Sequence, residues 1–312
     1  MKAVVVHRFG GPEVLEVAEV AIPEPSAGQV LIRVRAAAVN PVDAATRSGA
    51  LADHGLMSAG GPVGIGWDVA GTVAAVGPGI ERVAVGDAVI GMRNLLNAPI
   101  GAQAEYVVLD DDAVAPAPRT VTPAEAATIP LNGLTAVQAL DLLTLGHGEW
   151  LLVTGAAGAL GGYAVQLASL RGLKTIAVAS PGDEAVLREL GADEILARPD
   201  DLGTAVRRVV PGGVHGALDA AVLGVTALNA VRDGGSFVAV AAGAAPPPLR
   251  GTHVHNVWIR TDPSQLAELS ALVDAGKLTP RVAATQPLET VAAAHQRLAE
   301  HGLRGRIVLQ PA

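Results

Sequence analysis

Trp150-Leu-Leu-Val-Thr-Gly155-Ala-Ala-Gly158-Ala-Leu-Gly161-Gly162-Tyr-Ala-Val-Gln-Leu-Ala-Ser-Leu170 joins a short apolar run to an apolar-periodic one through glycines. Such a segment reads as a strand, a tight turn and a helix. Gly155, Gly158 and Gly161 would allow the turn, a close approach of backbone to a pyrophosphate, and close packing of helix on strand. The dinucleotide contact is therefore expected along Gly155-Ala156-Ala157-Gly158-Ala159-Leu160-Gly161. Against G-x-G-x-x-G, Ala156 occupies the first glycine slot, which makes the motif moderate on its own. A second reading competes, because residues 150–170 carry no charge over about the length of a membrane-spanning helix. The glycines, the strand-like Leu151 to Thr154 and the lack of flanking basic clusters argue against it.

Composition narrows the classes further. At 312 residues two domains are expected, and with 50% hydrophobic but only 2% aromatic residues their cores must be filled by Ala, Val, Leu and Ile. A net charge of -8 without a basic run disfavours nucleic acid or an anionic membrane as partner. Charge returns at His7 and Arg8, too soon for a signal-peptide apolar region, so a cytoplasmic location is expected. The chain has no cysteine, which removes disulfides, thiolate nucleophiles and Cys-based zinc sites. Its eight histidines show no metal-ligand spacing on a helix; His253 and His255 lie two apart on an expected strand, Gly251 to Arg260, and read as exposed or interface residues.

The texture of the chain changes near residue 122. Before it, Lys2 to Val6, Leu15 to Val20, Val30 to Ala38, Ala70 to Val76, Ala88 to Ile90 and Ala104 to Leu109 read as short strands of a barrel or sandwich. After it, strands and helices alternate: Leu151 to Thr154 then Tyr163 to Arg171, Thr175 to Ala179 then Asp183 to Gly191, Ala217 to Ala221 then Val225 to Val231, and Phe237 to Ala241. That alternation predicts an α/β fold with a doubly wound parallel sheet. A helix over Ser264 to Ala275 and a strand over Arg306 to Leu309 complete the expected elements.

Cofactor choice is expected to turn on the end of the second parallel strand. An NAD site would place Asp or Glu there for the ribose hydroxyls, whereas this chain has Ser180, which favours NADPH. Asp183 and Glu184 follow, Lys174 and Arg188 are the nearest basic residues, and Ser180 could equally cap the next helix.

The whole chain resembles a known family. Met1-Lys-Ala-Val-Val-Val, Ala38-Val-Asn40-Pro-Val-Asp43 with Arg47-Ser-Gly49, Gly66-Trp-Asp68-Val-Ala-Gly71, Val85-Gly-Asp87-Ala-Val, Ala104-Glu-Tyr106-Val, Gly133-Leu-Thr135-Ala, the glycine loop, and Arg304-Gly-Arg306-Ile-Val-Leu follow in order. This set is similar to the zinc-independent quinone oxidoreductase (zeta-crystallin-like) branch of the medium-chain dehydrogenase/reductase superfamily. The resemblance implies a GroES-like, mainly β catalytic domain from residues 1–122 with 262–312, and a Rossmann dinucleotide-binding domain over 123–261. It also implies that cofactor and active site meet between the domains, and that a homodimer forms through residues 251–260. Zinc-dependent relatives carry a cysteine near Asn40 and Gly-His-Glu where this chain reads Gly66-Trp67-Asp68, so no metal site is expected.

Without a Lewis acid, oxidation of an alcohol is hard, whereas an acceptor whose developing oxyanion needs only hydrogen bonds and a solvent proton can be reduced. The expected activity is NADPH-dependent hydride transfer to a quinone or an activated alkene. Alternatives are an alkenal or enoyl-thioester reductase and a non-catalytic NADPH-binding regulatory protein. By resemblance Asn40 is the active-site asparagine whose amide donates to substrate or cofactor, Thr135 stands near the nicotinamide, and Asp43 orients this region. Read from the residues alone, Asn40 is an Asx turn before Pro41, Thr135 a helix cap and Asp43 a surface or capping carboxylate. Asp68 and Asp87 read as turn carboxylates bonding backbone amides. Ala241-Ala242-Gly243, after the fifth parallel strand, would touch the nicotinamide half. Where quinone reductases of this branch carry pocket tyrosines, this chain reads Ala44-Ala-Thr-Arg-Ser-Gly-Ala-Leu51, which favours a less aromatic acceptor.

Overall fold

The computed structural model describes residues 1–58, 62–94, 96–300 and 302–312. The chain divides into two compact units, one of Met1–Leu131, Arg260–Gly276 and Pro280–Ala312, the other of Asn132–Ile259 with Lys277–Thr279.

The first unit begins with β1 (Lys2–Val6), β2 (Glu16–Glu19), β3 (Gln29–Val39), α1 (Pro41–Ser48), α2 (Ala50–Asp53), β4 (Val63–Gly64), β5 (Asp68–Val76), β6 (Ala88–Met92), β7 (Tyr106–Asp110), β8 (Val114–Pro116) and α3 (Pro123–Ala126). Helix α4 (Ile129–Leu143) contains the first division between units. The second unit holds β9 (Trp150–Thr154), α5 (Ala159–Leu170), β10 (Lys174–Ala179), α6 (Glu184–Glu189), β11 (Glu194–Ala197), α7 (Leu202–Val209), β12 (Val214–Asp219), α8 (Val225–Leu228), β13 (Val231–Ala239) and β14 (His253–Asn256). The chain then returns to the first unit for α9 (Pro263–Asp274), β15 (Val282–Pro287), α10 (Val291–Ala299) and β16 (Arg306–Gln310).

In the first unit the long strand β3 is the organiser. It pairs antiparallel with β5, β7 and β16, which places its Val30, Ile32 and Val34 against Val69, Val73, Val89, Val107 and Leu109 in an aliphatic core. A second cluster of Val4, Val6, Val39, Ile65, Leu288, Ile307 and Leu309 closes the end where β3 meets α1. Valine and isoleucine suit this pleated, doubly packed surface, so a chain poor in aromatics still fills it.

The second unit is a parallel sheet of strand order β11-β10-β9-β12-β13-β14. Numbered from β9, this is 3-2-1-4-5-6, the doubly wound order in which the chain reverses direction at the first strand. Leu152, Ile176, Val178, Leu202, Val206, Ala217 and Phe237 pack one side, Phe237 being the largest side chain that is fully buried.

Several expected boundaries move, each for a physical reason. Residues 150–170 are a strand, a loop and a helix, which removes the membrane-span reading; no helix among the described residues is long and apolar enough to cross a membrane. Helix α5 starts at Ala159 rather than Tyr163, because it is buried nearly all round and shows no amphipathic onset. The helix expected over Val225 to Val231 stops at Leu228. Val231 instead opens β13, pairing with Val214 before a register shift that ends at Ser236. Strand β14 is shorter than Gly251 to Arg260.

Candidate active site

Asn40 directly follows β3 and is the N-cap of α1, with Pro41 at the first helical position and Asp43 at the third. Asp43 Oδ2 accepts the Asn40 backbone amide at 2.8 Å, half of a capping box, and accepts Gln103 Nε2 at 3.3 Å. The Asn40 side-chain nitrogen donates to Asp68 Oδ2 at 2.7 Å, and the backbone amide of Leu131 donates to Asp68 Oδ1 at 2.5 Å. All three side chains are fully buried. This corrects the turn reading of Asp68, which is the first residue of β5 and bonds a side-chain amide as well as a backbone one. Asp87 does sit in its turn, accepting the Ala84 amide at 2.8 Å.

Burial of the two carboxylates dominates their chemistry. Burial pushes Asp43 up to about 8, the charge of Asp68 adds to this, and the Asn40 amide and Arg306 oppose it. Asp68 is likewise pushed up by burial, to about 7, against the Asn40 side chain, the Leu131 amide and Arg306. Asp43 Oδ1 has no donor, so its charged form gains little inside.

These residues do not suit zinc. At the segment where zinc-dependent relatives carry Gly-His-Glu, Trp67 has no ligating atom and both Asp68 oxygens accept N–H groups. Asn40 stands near the position of their cysteine and gives Asp68 a hydrogen.

In the second unit the glycine loop has the geometry that a pyrophosphate needs. Gly155 sits at φ +61, Gly158 is the N-cap of α5 with no side chain to cap it, and the Gly158 amide donates to the Gly155 carbonyl at 2.9 Å. The first amides of α5 have no intrahelical acceptor, so the uncapped end offers donors and the positive end of the helix dipole to an anion. A Cβ on Gly161 would collide with the Gly155 carbonyl and lie 2.6 Å from Ala156 Cα, so only glycine lets the helix pack here. The Ala156 amide donates to Val178 O at 3.1 Å, tying the loop to β10.

Sequence reasoning missed the residues that brace this loop. Thr154 Oγ1 donates to Asp219 Oδ1 at 2.6 Å and accepts the Ala221 amide at 3.0 Å, while Asp219 Oδ2 accepts the Gly224 amide at 2.8 Å. Thr154 and Asp219 are buried neighbours at the carboxyl ends of β9 and β12. Only their strand pairing reveals them, since 65 residues separate them. Ala241, Ala242 and Gly243 follow β13 at the same edge of the sheet, Gly243 with φ +72.

Thr135 is buried in the interior of α4, well past its first turn, which overturns the capping reading. Ser180 follows β10 and accepts the Asp183 amide through its carbonyl; the N-cap of α6 is Asp183, so Ser180 is not the cap. Neither nearby basic residue faces outward unengaged. Arg188 donates to the carbonyls of Ala192 and Asp193, and Lys174 Nζ lies 5.5 Å from the centroid of the Trp150 ring.

A doubly wound sheet with an uncapped glycine loop at its first strand, joined to an antiparallel β unit carrying a buried amide-carboxylate cluster, defines a two-domain nucleotide-dependent oxidoreductase. Comparison with known proteins agrees: residues 26–119 match the alcohol dehydrogenase GroES-like domain and residues 190–309 the zinc-binding dehydrogenase family. The chain is 31% identical to an NADPH-dependent alkenal/one oxidoreductase, chloroplastic, of Arabidopsis thaliana, over 100% of this chain and 80% of that one. It is 32% identical to a quinone oxidoreductase of Sus scrofa, over 99% and 97%. A solved NAD-dependent alcohol dehydrogenase superposes with a TM-score of 0.89 at 33% identity, covering 99% of each chain. The chain belongs to the medium-chain dehydrogenase/reductase superfamily, among its quinone oxidoreductase-like members.

Proposed function

We propose that this oxidoreductase is a zinc-independent, NADPH-dependent reductase of activated alkenes or quinones. The observation that carries the reading is the Asn40 Nδ2 to Asp68 Oδ2 hydrogen bond, which commits to each other the two residues standing where zinc-dependent relatives place ligands. NADPH, when bound, supplies a hydride to the β-carbon of an enone or to a quinone, and a solvent proton completes the reduction. The loop from Gly155 to Gly161 would hold the pyrophosphate on the first amides of α5. Ser180 would accept the 2'-phosphate side without the repulsion of a carboxylate at that position. Ala241, Ala242 and Gly243 would border the nicotinamide half, and Thr135 is proposed to meet the ring. Asp68 holds the nitrogen of the Asn40 amide and so sets its plane, while Asp43 fixes the backbone from which Asn40 projects. In this reading Asn40 orients the acceptor and Asp43 and Asp68 are positioning residues.

The absence of tyrosine across Ala44 to Leu51 favours an enone over a quinone. A homodimer through residues 251–260 is supported by β14, which ends the sheet order, and by Trp258 beyond it, 63% exposed. The test is NADPH and NADH oxidation by metal-stripped protein against a panel of enones and quinones, with metal content measured beforehand. Turnover with NADPH is expected. Tight NADPH binding without turnover would overturn the reductase reading, NADH preference would overturn the role of Ser180, and stoichiometric zinc would overturn the metal-free mechanism.

A further inference from the structure

Arg93 directly follows β6, whose Met92 is paired with Asp68, and its backbone amide donates to the Trp67 carbonyl at 2.7 Å. The residue is only 8% exposed. Among the described residues its guanidinium has no hydrogen-bond acceptor and no ion-pair partner, although the charge of Asp110 reaches it. Its nitrogens are not among the polar atoms sealed in protein without a partner, unlike Arg47 Nε, so they open onto space. Arg93 lines a cavity of about 330 Å³ in the first unit, walled by Met92, Ile100, Val108 and Leu109 and edged by the exposed Asp110 and Asp112.

We propose that this cavity binds a small monocarboxylate with an apolar body, held by Arg93. A guanidinium withdrawn from water without a partner is costly, and its planar fork of donors fits a carboxylate with two parallel hydrogen bonds. Burial already pushes Arg93 down to about 10, against the field of Asp110, so it stays charged near neutral pH. Asp110 Oδ1 accepts Gln29 Nε2 at 3.0 Å, which anchors that carboxylate at the edge. Two edge aspartates would repel a dianion such as phosphate more than a single negative charge. The volume is at the small end of ligand pockets, roughly 300–1,000 Å³, and the aliphatic walls suit a hydrocarbon body.

The test reads binding without turnover, so it stands apart from the reductase assignment. Hexanoate, its neutral isostere hexanamide and inorganic phosphate are titrated by calorimetry into the full-length protein at neutral pH, and into Arg93→Met and Arg93→Lys. Hexanoate is expected to bind at least about tenfold more tightly than hexanamide and phosphate, a preference lost in Arg93→Met and partly kept in Arg93→Lys. Absent hexanoate binding, equal affinity for hexanoate and hexanamide, tighter binding of phosphate, or an unchanged preference in a folded Arg93→Met overturns the proposal. If Arg93→Met fails to fold, the comparison of hexanoate with hexanamide on the unaltered protein decides.

Discussion

Asn40, the N-cap of α1, and Asp68, the first residue of β5, are joined in the GroES-like unit by a 2.7 Å hydrogen bond from the asparagine side-chain nitrogen to a fully buried carboxylate. Asp68 takes the Leu131 backbone amide on its other oxygen, so one carboxylate orients both the end of β3 and the start of α4. Replacing it by alanine removes the acceptor of two buried donor bonds, at a cost of ~1–3 kcal/mol each where no water enters. Asp68→Ala is expected to lower the urea midpoint clearly and to reduce kcat more than it raises KM. An unchanged midpoint would show that Asp68 does not hold this region.

The same burial sets a pH dependence. Asp43 and Asp68 are raised to about 8 and 7, so from the ordinary carboxylate range upward the folded state holds more protons than the unfolded one. Their contribution is full at low pH and is lost as pH rises through 7 to 8. His295 opposes this at lower pH: burial, with Arg47 nearby, pushes it down to about 4, so its contribution is lost as pH falls from 6.5 toward 4. The carboxylates therefore act alone only above about 6.5. Stability by urea unfolding is expected to fall between pH 6.5 and 8.5, and the fall should shrink in Asp43→Asn.

Gly161 and Gly158 separate packing from nucleotide contact. A Cβ at Gly161 meets loop backbone, whereas one at Gly158 meets only the Gly155 carbonyl, at 3.1 Å. Gly161→Ala should cost ~1–3 kcal/mol through overpacking and sharply weaken NADPH binding in a fluorescence titration. Gly158→Ala should keep stability nearly intact, so any loss of NADPH affinity there reports the approach of the phosphate.

Ser180 is the expected hinge of cofactor choice. Ser180→Asp should lower NADPH affinity by about tenfold or more relative to NADH, by placing a carboxylate beside the 2'-phosphate. Equal effects on the two nucleotides would move the discrimination elsewhere.

Thr154 links the glycine strand to Asp219. Thr154→Val removes the donor to a buried carboxylate and the acceptor of the Ala221 amide. A loss of ~1–3 kcal/mol is expected. NADPH affinity should fall with it, since Ala220 and Ala221 lie 3.4 Å from where a Gly155 Cβ would stand.

Local patterns announced what local chemistry decides. Alternating strands and helices after residue 122, the glycine spacing from Gly155 to Gly161 and the missing cysteines could all be read along the chain, because strand propensity and φ freedom depend on neighbours in sequence, whereas Asn40-Pro41 reads as a turn and is the start of helix α1. Helix α5 and strand β13 begin earlier than their sequences announce for the opposite reason: full burial erases amphipathic periodicity, and the register shift between Val231 and Ser236 exists only against the partner strand. The pairing of Asn40 with Asp68, the brace of Thr154 on Asp219 and the buried, unpartnered Arg93 could come only from the tertiary structure. They join residues far apart in the chain, and the raised carboxylates and the buried cation of the cavity exist only because folding withdraws water from them.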